Sequence, residues 1–167
     1  VLNIGAKSHL KRWPAEKFAE LAEKIHEDLS LNVVLIGKGE ARNSDSDSIV
    51  AEKFLSAMKK PFLDIVNKTN IGEMAEIVRM AVCIVTNDSA PMHVASAVKT
   101  PTVAIFGPTD DKKYGPLSPG SIVIRGKAKC SPCEKPECKN NYECLREIEV
   151  MEVFCAVKKM VSCGKGL

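Results

Sequence analysis

The chain of 167 residues is long enough for one domain with a buried core, and its 45% hydrophobic and 27% charged residues are typical of a globular protein. Its net charge of +3, with five Phe, two Tyr and one Trp that form no basic and aromatic stripe, gives no indication of nucleic-acid binding. No apolar run approaches the ~20 residues that a membrane-spanning helix needs, and there is no signal-peptide pattern.

Short apolar runs alternate with segments of helical periodicity. The runs predict six strands, at 1–4, 33–36, 62–66, 83–86, 102–106 and 122–125. The segments between and after them predict five helices. The first begins at Pro14, the second carries Ile49 and Phe54, and the third begins with an Asn70–Glu73 capping box. The last two cover 91–98 and 149–161. This alternation predicts an α/β fold, a Rossmann-like parallel sheet with helices on both faces. Because no linker divides the chain and it opens directly on an apolar run, we expect one domain over 1–167, cut from a longer protein.

The loops that follow the strands are the candidate ligand site. In an open parallel sheet these loops meet at one edge, outside the carboxyl ends of the strands. The sequence therefore predicts a site formed by the loops 5–13, 37–40, 67–70 and 87–93, with 107–115 as a further candidate.

The loop sequence NDSAPMH at 87–93 allows three interpretations. A serine nucleophile is disfavoured because the flanking glycines of the G-x-S-x-G elbow are absent. Asp88 or Ser89 can cap the following helix, with Pro91 in its first turn. A helix N-terminus also suits a phosphate, to which Ser89 adds a hydroxyl, small Ala90 a close approach, and His93 a donor on the same face. Asp88 is then expected to cap the turn or to accept from a sugar hydroxyl.

The first two loops add groups that suit a nucleotide. Gly5 and Ala6 permit close approach to the backbone, and Lys7 and Lys11 can neutralise a diphosphate. Glu40 can accept from a ribose hydroxyl. A solvated basic loop and a simple turn remain alternatives for these segments. Neither the dinucleotide fingerprint nor a Walker loop is present.

Four cysteines cluster in the segment 129–145, with the spacing C-x2-C-x4-C-x5-C. Four thiolates can hold Zn²⁺ in a tetrahedral site, although the spacing matches no zinc ribbon. Free thiols or a disulfide are the alternatives. The candidate metal ligands, with a structural and not a catalytic role, are Cys130, Cys133, Cys138 and Cys144.

Taken together, the loops resemble the donor-binding half of glycosyltransferase family 9, the lipopolysaccharide heptosyltransferases, and in particular those of type II. The resemblance covers nearly the whole chain and rests on Gly5-Ala6, on Lys11 to Pro14, on the Gly37 to Glu40 turn and on the block at 87–110. It implies one half of a two-domain GT-B enzyme, in which the carboxyl-terminal domain holds the nucleotide-sugar and the active site lies between the domains.

The resemblance also implies roles for individual residues. Lys11 would contact the donor diphosphate or sugar and, with His93, stabilise the leaving group. Ala90 departs from the glycine often found at its position, which adds a methyl group to the pocket. The implied binding set is Gly5, Ala6, Lys7, Lys11, Glu40 near the ribose, Thr69 at the base pocket, Asp88, Ser89, Ala90 and His93.

The implied reaction is inverting transfer of a heptose from an ADP-activated donor to the lipopolysaccharide inner core, without a cofactor. The general base and the glycolipid acceptor would belong to the amino-terminal domain, which is absent here, so we expect this chain alone to be inactive. A cytoplasmic location, with peripheral association at the inner face of the inner membrane, follows from the same resemblance. The alternatives are a transferase or epimerase of another nucleotide-sugar, or a non-catalytic nucleotide-binding module.

Overall fold

The computed structural model describes residues 1–37 and 47–164. At its centre lies a six-stranded sheet in the order β3-β2-β1-β4-β5-β6, in which every pair of neighbours is parallel. The strands are β1 (Leu2–Asn3), β2 (Val34–Ile36), β3 (Leu63–Asp64), β4 (Ile84–Asn87), β5 (Thr102–Phe106) and β6 (Ile122–Arg125).

Helices connect the strands and follow the last of them. A short 3-10 helix, His9–Lys11, precedes the first α-helix. The α-helices are α1 (Ala15–Leu29), α2 (Asp47–Ala57), α3 (Ile71–Met80), α4 (Ala90–Ala97), α5 (Asp111–Tyr114), α6 (Glu143–Arg146) and α7 (Val150–Gly164). None of the helices in the described part of the chain has the length and apolar character needed to cross a membrane.

The core lies on both faces of the sheet, because alternate residues of a strand point to opposite sides. On β5, Val103 and Ile105 join the cluster that also contains the buried sides of α1, α2 and α7. Ala104 and Phe106 point the other way and pack with Met92 of α4. All five residues of β5 are buried, as expected for a parallel strand covered on both faces. The predicted Rossmann-like fold is confirmed.

The boundaries differ from the predictions in a few places. The strands predicted at 1–4 and 62–66 shorten to two residues each, and the short helices α5 and α6 were not predicted. Pro14 stands before α1 as its N-cap residue, since its ψ of 134° is extended and not helical. The capping box of α3 is confirmed: the Asn70 side chain accepts from the Gly72 and Glu73 N–H groups, and Glu73 accepts from the Asn70 N–H.

The order of the strands reverses between β1 and β4. From β1 the chain continues outward to β2 and β3, and from β4 it continues in the other direction to β5 and β6. A reversal of this kind opens a crevice at the carboxyl ends of the two central strands, where α/β proteins bind ligands. The loops 5–13 and 87–93 lie on its two sides.

Candidate functional site

A basic and an acidic side chain meet in the crevice. Lys11 Nζ lies 2.7 Å from Oδ2 of Asp88, and the Thr109 hydroxyl donates to the same oxygen at 2.7 Å. The carboxylate is 7% exposed, whereas the lysine is 31% exposed. The Lys11 ammonium also lies 5.9 Å from the centre of the Tyr114 ring. Loops after three adjacent strands, β1, β4 and β5, therefore converge on one buried carboxylate.

This contact excludes one of the two roles expected of Asp88, the helix cap, and leaves the other, acceptance from a sugar hydroxyl, as a prediction. Its Oδ2 is occupied by Lys11 and Thr109, and the side chain makes no cap bond to α4. Within the described residues no hydrogen bond uses its other oxygen, Oδ1, which leaves an acceptor for a hydroxyl group. Thr109 belongs to the loop 107–115, which the sequence predicts as a further candidate for the site, but its direct bond to Asp88 was not predicted.

The N-terminus of α4 differs from the sequence prediction. Ser89 occupies the N-cap position, but its hydroxyl makes no cap bond. Instead, Ser89 Oγ donates to the Asn87 carbonyl at 3.2 Å and accepts from the Asn3 amide at 2.8 Å. Pro91 carries no N–H, and the Met92 N–H donates to the Ser89 carbonyl. In the described structure, the first turn therefore offers an outside ligand the N–H of Ala90, fewer donors than a regular helix start.

The remaining predicted residues divide into two groups. Gly5 and Ala6 are buried at the carboxyl end of β1, Lys7 is exposed beside them, and His93 is exposed one turn into α4. Gly5, Ala6 and Lys7 share the loop of Lys11 at the crevice, and His93 belongs to the helix that begins on its other side. Thr69 follows β3, which is two strands from β1 and hence roughly 10 Å away across the sheet. Glu40 lies outside the described residues.

Two buried asparagines were not assigned a role by the sequence. Asn3 is 1% exposed and Asn87 is 0% exposed, and both bond to the backbone of the first loop. The available signal was an amide inside or at the end of an apolar strand, where a buried polar group needs partners.

The cysteine segment packs beneath the same loops. All four clustered cysteines line a cavity of about 20 Å³, together with Leu10 of the 3-10 helix and Pro108 of the loop after β5. The Tyr142 N–H donates to Cys138 Sγ at 3.2 Å, and the Asn140 amide donates to Cys130 Sγ at 3.4 Å. The N–H groups of Cys133 and Glu134 both donate to the Pro108 carbonyl at 2.9 Å.

The arrangement of these thiols does not form a metal site as it stands. Among the described residues, no group of three or more His, Cys, Asp or Glu side chains is placed to hold an ion. Burial, followed by the neighbouring thiols of Cys130, Cys138 and Cys133, raises the pKa of the Cys144 thiol to about 11. The four thiols are therefore brought together, but in an arrangement that favours the protonated form of Cys144.

A larger cavity lies at the opposite end of the sheet. It measures about 390 Å³ and is lined by residues such as Val33, Met80, Val82 and Val161. Among the described residues that line it, Asn32 contributes an amide and Cys83 a thiol. The described residues that line it include no Lys, Arg or His side chain to pair with a diphosphate, whereas Lys11 lies in the crevice between β1 and β4, which is therefore the candidate site.

The fold and the crevice define an α/β domain of the Rossmann-like class, with its polar groups gathered where the strand order reverses. The model of glycosyltransferase family 9 (heptosyltransferase) matches residues 1–143, and the chain belongs to this family. The expected family is therefore confirmed.

Individual relatives agree with this assignment. The chain is 28% identical over 162 residues to lipooligosaccharide heptosyltransferase 2 of Campylobacter jejuni, covering 95% of this chain and 50% of that protein. It superimposes on the structure of E. coli ADP-heptose lps heptosyltransferase II with a TM-score of 0.80 at 26% identity, covering 99% of this chain and 46% of the other. The chain thus spans about half the length of the relatives that it matches.

A more distant structure shares the fold alone. The iron-containing dodecameric glycosyltransferase TibC from enterotoxigenic E. coli superimposes with a TM-score of 0.72 at 17% identity. The match covers 97% of this chain and 44% of TibC.

Proposed function

We propose that this chain is the donor-binding half of an inverting glycosyltransferase, which moves a heptose from an ADP-activated sugar to the inner core of lipopolysaccharide. The observation that carries the proposal is the buried carboxylate of Asp88, which Lys11 and Thr109 both contact. These contacts gather a cation, a carboxylate and a hydroxyl at the reversal of the strand order, where nucleotides bind in such folds. Membership of family 9 supports the same reaction.

Different residues of the site bind different parts of the donor. Lys11 and His93 bind and stabilise the diphosphate leaving group, and the Ala90 N–H adds a donor at the start of α4. Gly5, Ala6 and Lys7 border the diphosphate from the other side of the crevice. The free Oδ1 of Asp88 accepts from a sugar hydroxyl. Thr69, on the loop that follows β3, borders the base, and Glu40 accepts from a hydroxyl of the ribose.

The reaction joins an acceptor oxygen to the anomeric carbon while the bond from that carbon to the diphosphate breaks on the opposite side. Negative charge accumulates on the departing phosphate, and the Lys11 ammonium stabilises that charge electrostatically. The proton of the acceptor hydroxyl passes to a general base outside this chain. Neither step requires a metal ion.

The acceptor and the cellular location follow from the same proposal. A glycolipid acceptor binds through a second domain, which faces the crevice and closes the site that is open in this half. The full protein works in the cytoplasm and associates peripherally with the inner face of the inner membrane.

A structural metal at Cys130, Cys133, Cys138 and Cys144 is a separate proposal. Its support is the gathering of four thiols around one cavity of about 20 Å³, with N–H groups donating to two of the sulfurs. The thiols must move closer together and lose protons to bind Zn²⁺. Stoichiometric zinc in protein purified without chelator is the expected result, and protein free of metal after zinc supplementation would contradict it.

Calorimetry tests the donor site directly. The chain is titrated with ADP-, UDP- and GDP-sugars, and then as Lys11→Ala and His93→Ala. We expect binding of an ADP-sugar that weakens in both variants, and no glycosyl transfer by the chain alone. Preference for another nucleotide would redirect the proposal to a different donor, and unchanged affinity in both variants would refute the assigned site.

A further inference from the structure

Two asparagine amides are buried at the carboxyl ends of the central strands. Asn3 ends β1 and pairs in register with Thr86 of β4, and Asn87 ends β4. Both are at most 1% exposed. A buried amide is costly unless its N–H and C=O groups find partners, so the bonds of these two side chains indicate what they are placed to hold.

Asn87 ties β4 to both ends of the first loop. Its Nδ2 donates to the carbonyls of Ile4 at 3.0 Å and Gly5 at 3.3 Å. Its Oδ1 accepts from the Trp13 N–H at 3.0 Å. Both polar atoms of the amide are thus used on backbone groups that no strand or helix satisfies.

Asn3 connects the same loop to the start of α4. Its Nδ2 contacts the Gly5 carbonyl at 3.2 Å, the Thr86 hydroxyl at 2.9 Å and the Ser89 hydroxyl at 2.8 Å. The Ser89 hydroxyl in turn donates to the Asn87 carbonyl. This bond keeps Ser89 from capping α4 and leaves the Ala90 N–H open to a ligand.

These bonds fix the direction of the loop backbone. The Gly5 carbonyl accepts from both asparagines, and the Ala6 carbonyl accepts from Arg12 Nε at 3.1 Å and Nη2 at 2.7 Å. In a trans peptide the N–H points opposite to the carbonyl of the same unit, so the N–H groups of Ala6 and Lys7 point away from these donors. In the described structure, neither N–H donates to a protein acceptor. Successive free N–H groups of this kind form a cradle for an anion.

We infer that Asn3 and Asn87 are positioning residues for the diphosphate of the donor. They hold the Gly5–Ala6 backbone and the Ser89 hydroxyl so that the N–H groups of Ala6, Lys7 and Ala90 are open to the phosphate oxygens, while the amides themselves stay beneath the loop. This inference rests on the proposed function, because it assumes that the crevice binds a nucleotide. It extends that function, because it assigns the binding of the phosphate to backbone N–H groups as well as to Lys11.

Binding of ADP and of adenosine separates this role from a general contribution to stability. Loss of the phosphate cradle should weaken the binding of ADP and leave the binding of adenosine, which has no phosphate, unchanged. Destabilisation of the whole domain should weaken the binding of both ligands. Calorimetry is done on the wild-type chain, on Asn87→Ser and on Asn3→Ala, below the unfolding temperature of each protein.

Thr100→Val is the matched control. Thr100 is also a buried polar residue, 3% exposed, and its hydroxyl donates to the Val78 carbonyl at 2.7 Å. It lies before the amino end of β5, at the opposite edge of the sheet from the crevice. The control should lower the unfolding temperature without changing the affinity for either ligand.

The expected result is a loss of at least tenfold in ADP affinity in both asparagine variants, with adenosine affinity within twofold of wild type. ADP affinity within twofold of wild type in either folded variant, or equal losses for ADP and adenosine, would overturn the inference. If one variant does not fold, the other decides the outcome. A wild-type chain that binds neither ligand would instead refute the proposed function, so the two failures are distinguishable.

Discussion

Lys11 and Asp88 form an ion pair of 2.7 Å between loops that follow two adjacent parallel strands. The carboxylate is almost completely buried, and a buried charge that loses its partner is strongly destabilising. The pair therefore stabilises the crevice before any ligand binds. A diphosphate that enters must share the Lys11 ammonium with Asp88, which limits the net gain in binding but fixes the position of the cation.

Removal of Lys11 should destabilise the fold, and removal of the Asp88 charge should relieve part of that loss. Lys11→Ala leaves the Asp88 carboxylate with Thr109 alone, so we expect the free energy of unfolding to fall by about 1–3 kcal/mol. Lys11→Ala with Asp88→Asn should be more stable than the sum of the single changes predicts. Urea denaturation of all four proteins measures this coupling, and strictly additive effects would show that the pair contributes nothing.

His93 should affect ligand binding without affecting stability. Its side chain is exposed on α4, and exposed substitutions away from special features change stability by about 0.5 kcal/mol or less. We expect His93→Ala to weaken donor binding by about 1 kcal/mol, the usual contribution of one hydrogen bond. Lys53→Ala, at an exposed position of α2, is the control and should change neither quantity. Calorimetry that finds equal donor affinity in both variants would remove His93 from the site.

The sequence predicted the architecture well because each element carries its own signal. The five-residue apolar run of β5 and the capping box at Asn70 are local patterns, and both reappear in the structure. The bonds within the site are different. Ser89 occupies the predicted cap position, yet its hydroxyl makes no cap bond and instead accepts from the amide of Asn3, a residue on another strand. Such partners depend on the parallel pairing of β1 with β4, which periodicity does not specify.

The surroundings of the cysteine segment also depend on tertiary packing, which a local pattern does not specify. The cysteine spacing left a metal site, free thiols and a disulfide open, and in the structure the four cysteines line one cavity. The contacts with Leu10 and Pro108 place that cavity beneath the donor loops, a neighbourhood fixed by tertiary packing and not by spacing. The alternatives that the sequence left open for these thiols concern protonation and distance, and neither quantity is encoded in a local pattern.

A side chain at Gly107 should destabilise the fold while Leu145 is present. A Cβ atom at Gly107 would lie 2.6 Å from Leu145 Cγ and 3.2 Å from Cys144 Sγ. Overpacking of this kind costs about 1–3 kcal/mol, so Gly107→Ala should lower the free energy of unfolding by that amount. Leu145→Ala creates space, and the double variant should lose less stability than the sum of the two single changes. Chemical denaturation checks this, and full additivity would mean that the two residues do not compete for the same volume.

In metal-free protein, stability should fall as the pH rises from 9 towards 11, and Cys144 should contribute to that fall. Burial and the three neighbouring thiols raise the pKa of Cys144 from 9.0 to about 11 in the folded state. A thiol whose folded pKa is raised keeps its proton in the folded protein while the unfolded chain loses it, so its stabilising contribution is complete below pH 9. It is lost through the window up to about pH 11, with a slope of at most about 1.4 kcal/mol per pH unit.

Cys144→Ala should therefore flatten the dependence of the free energy of unfolding on pH across that window. The slopes are compared rather than the absolute values, because the substitution also removes buried volume at every pH. Cys83, whose pKa is also raised to about 11 by burial, keeps a residual slope in the variant and serves as the internal reference. Equal slopes in the two proteins would contradict a protonated thiol at Cys144. Equal slopes are also the behaviour of a thiolate already deprotonated by a bound metal, so measurement in the presence and absence of a chelator distinguishes the two causes.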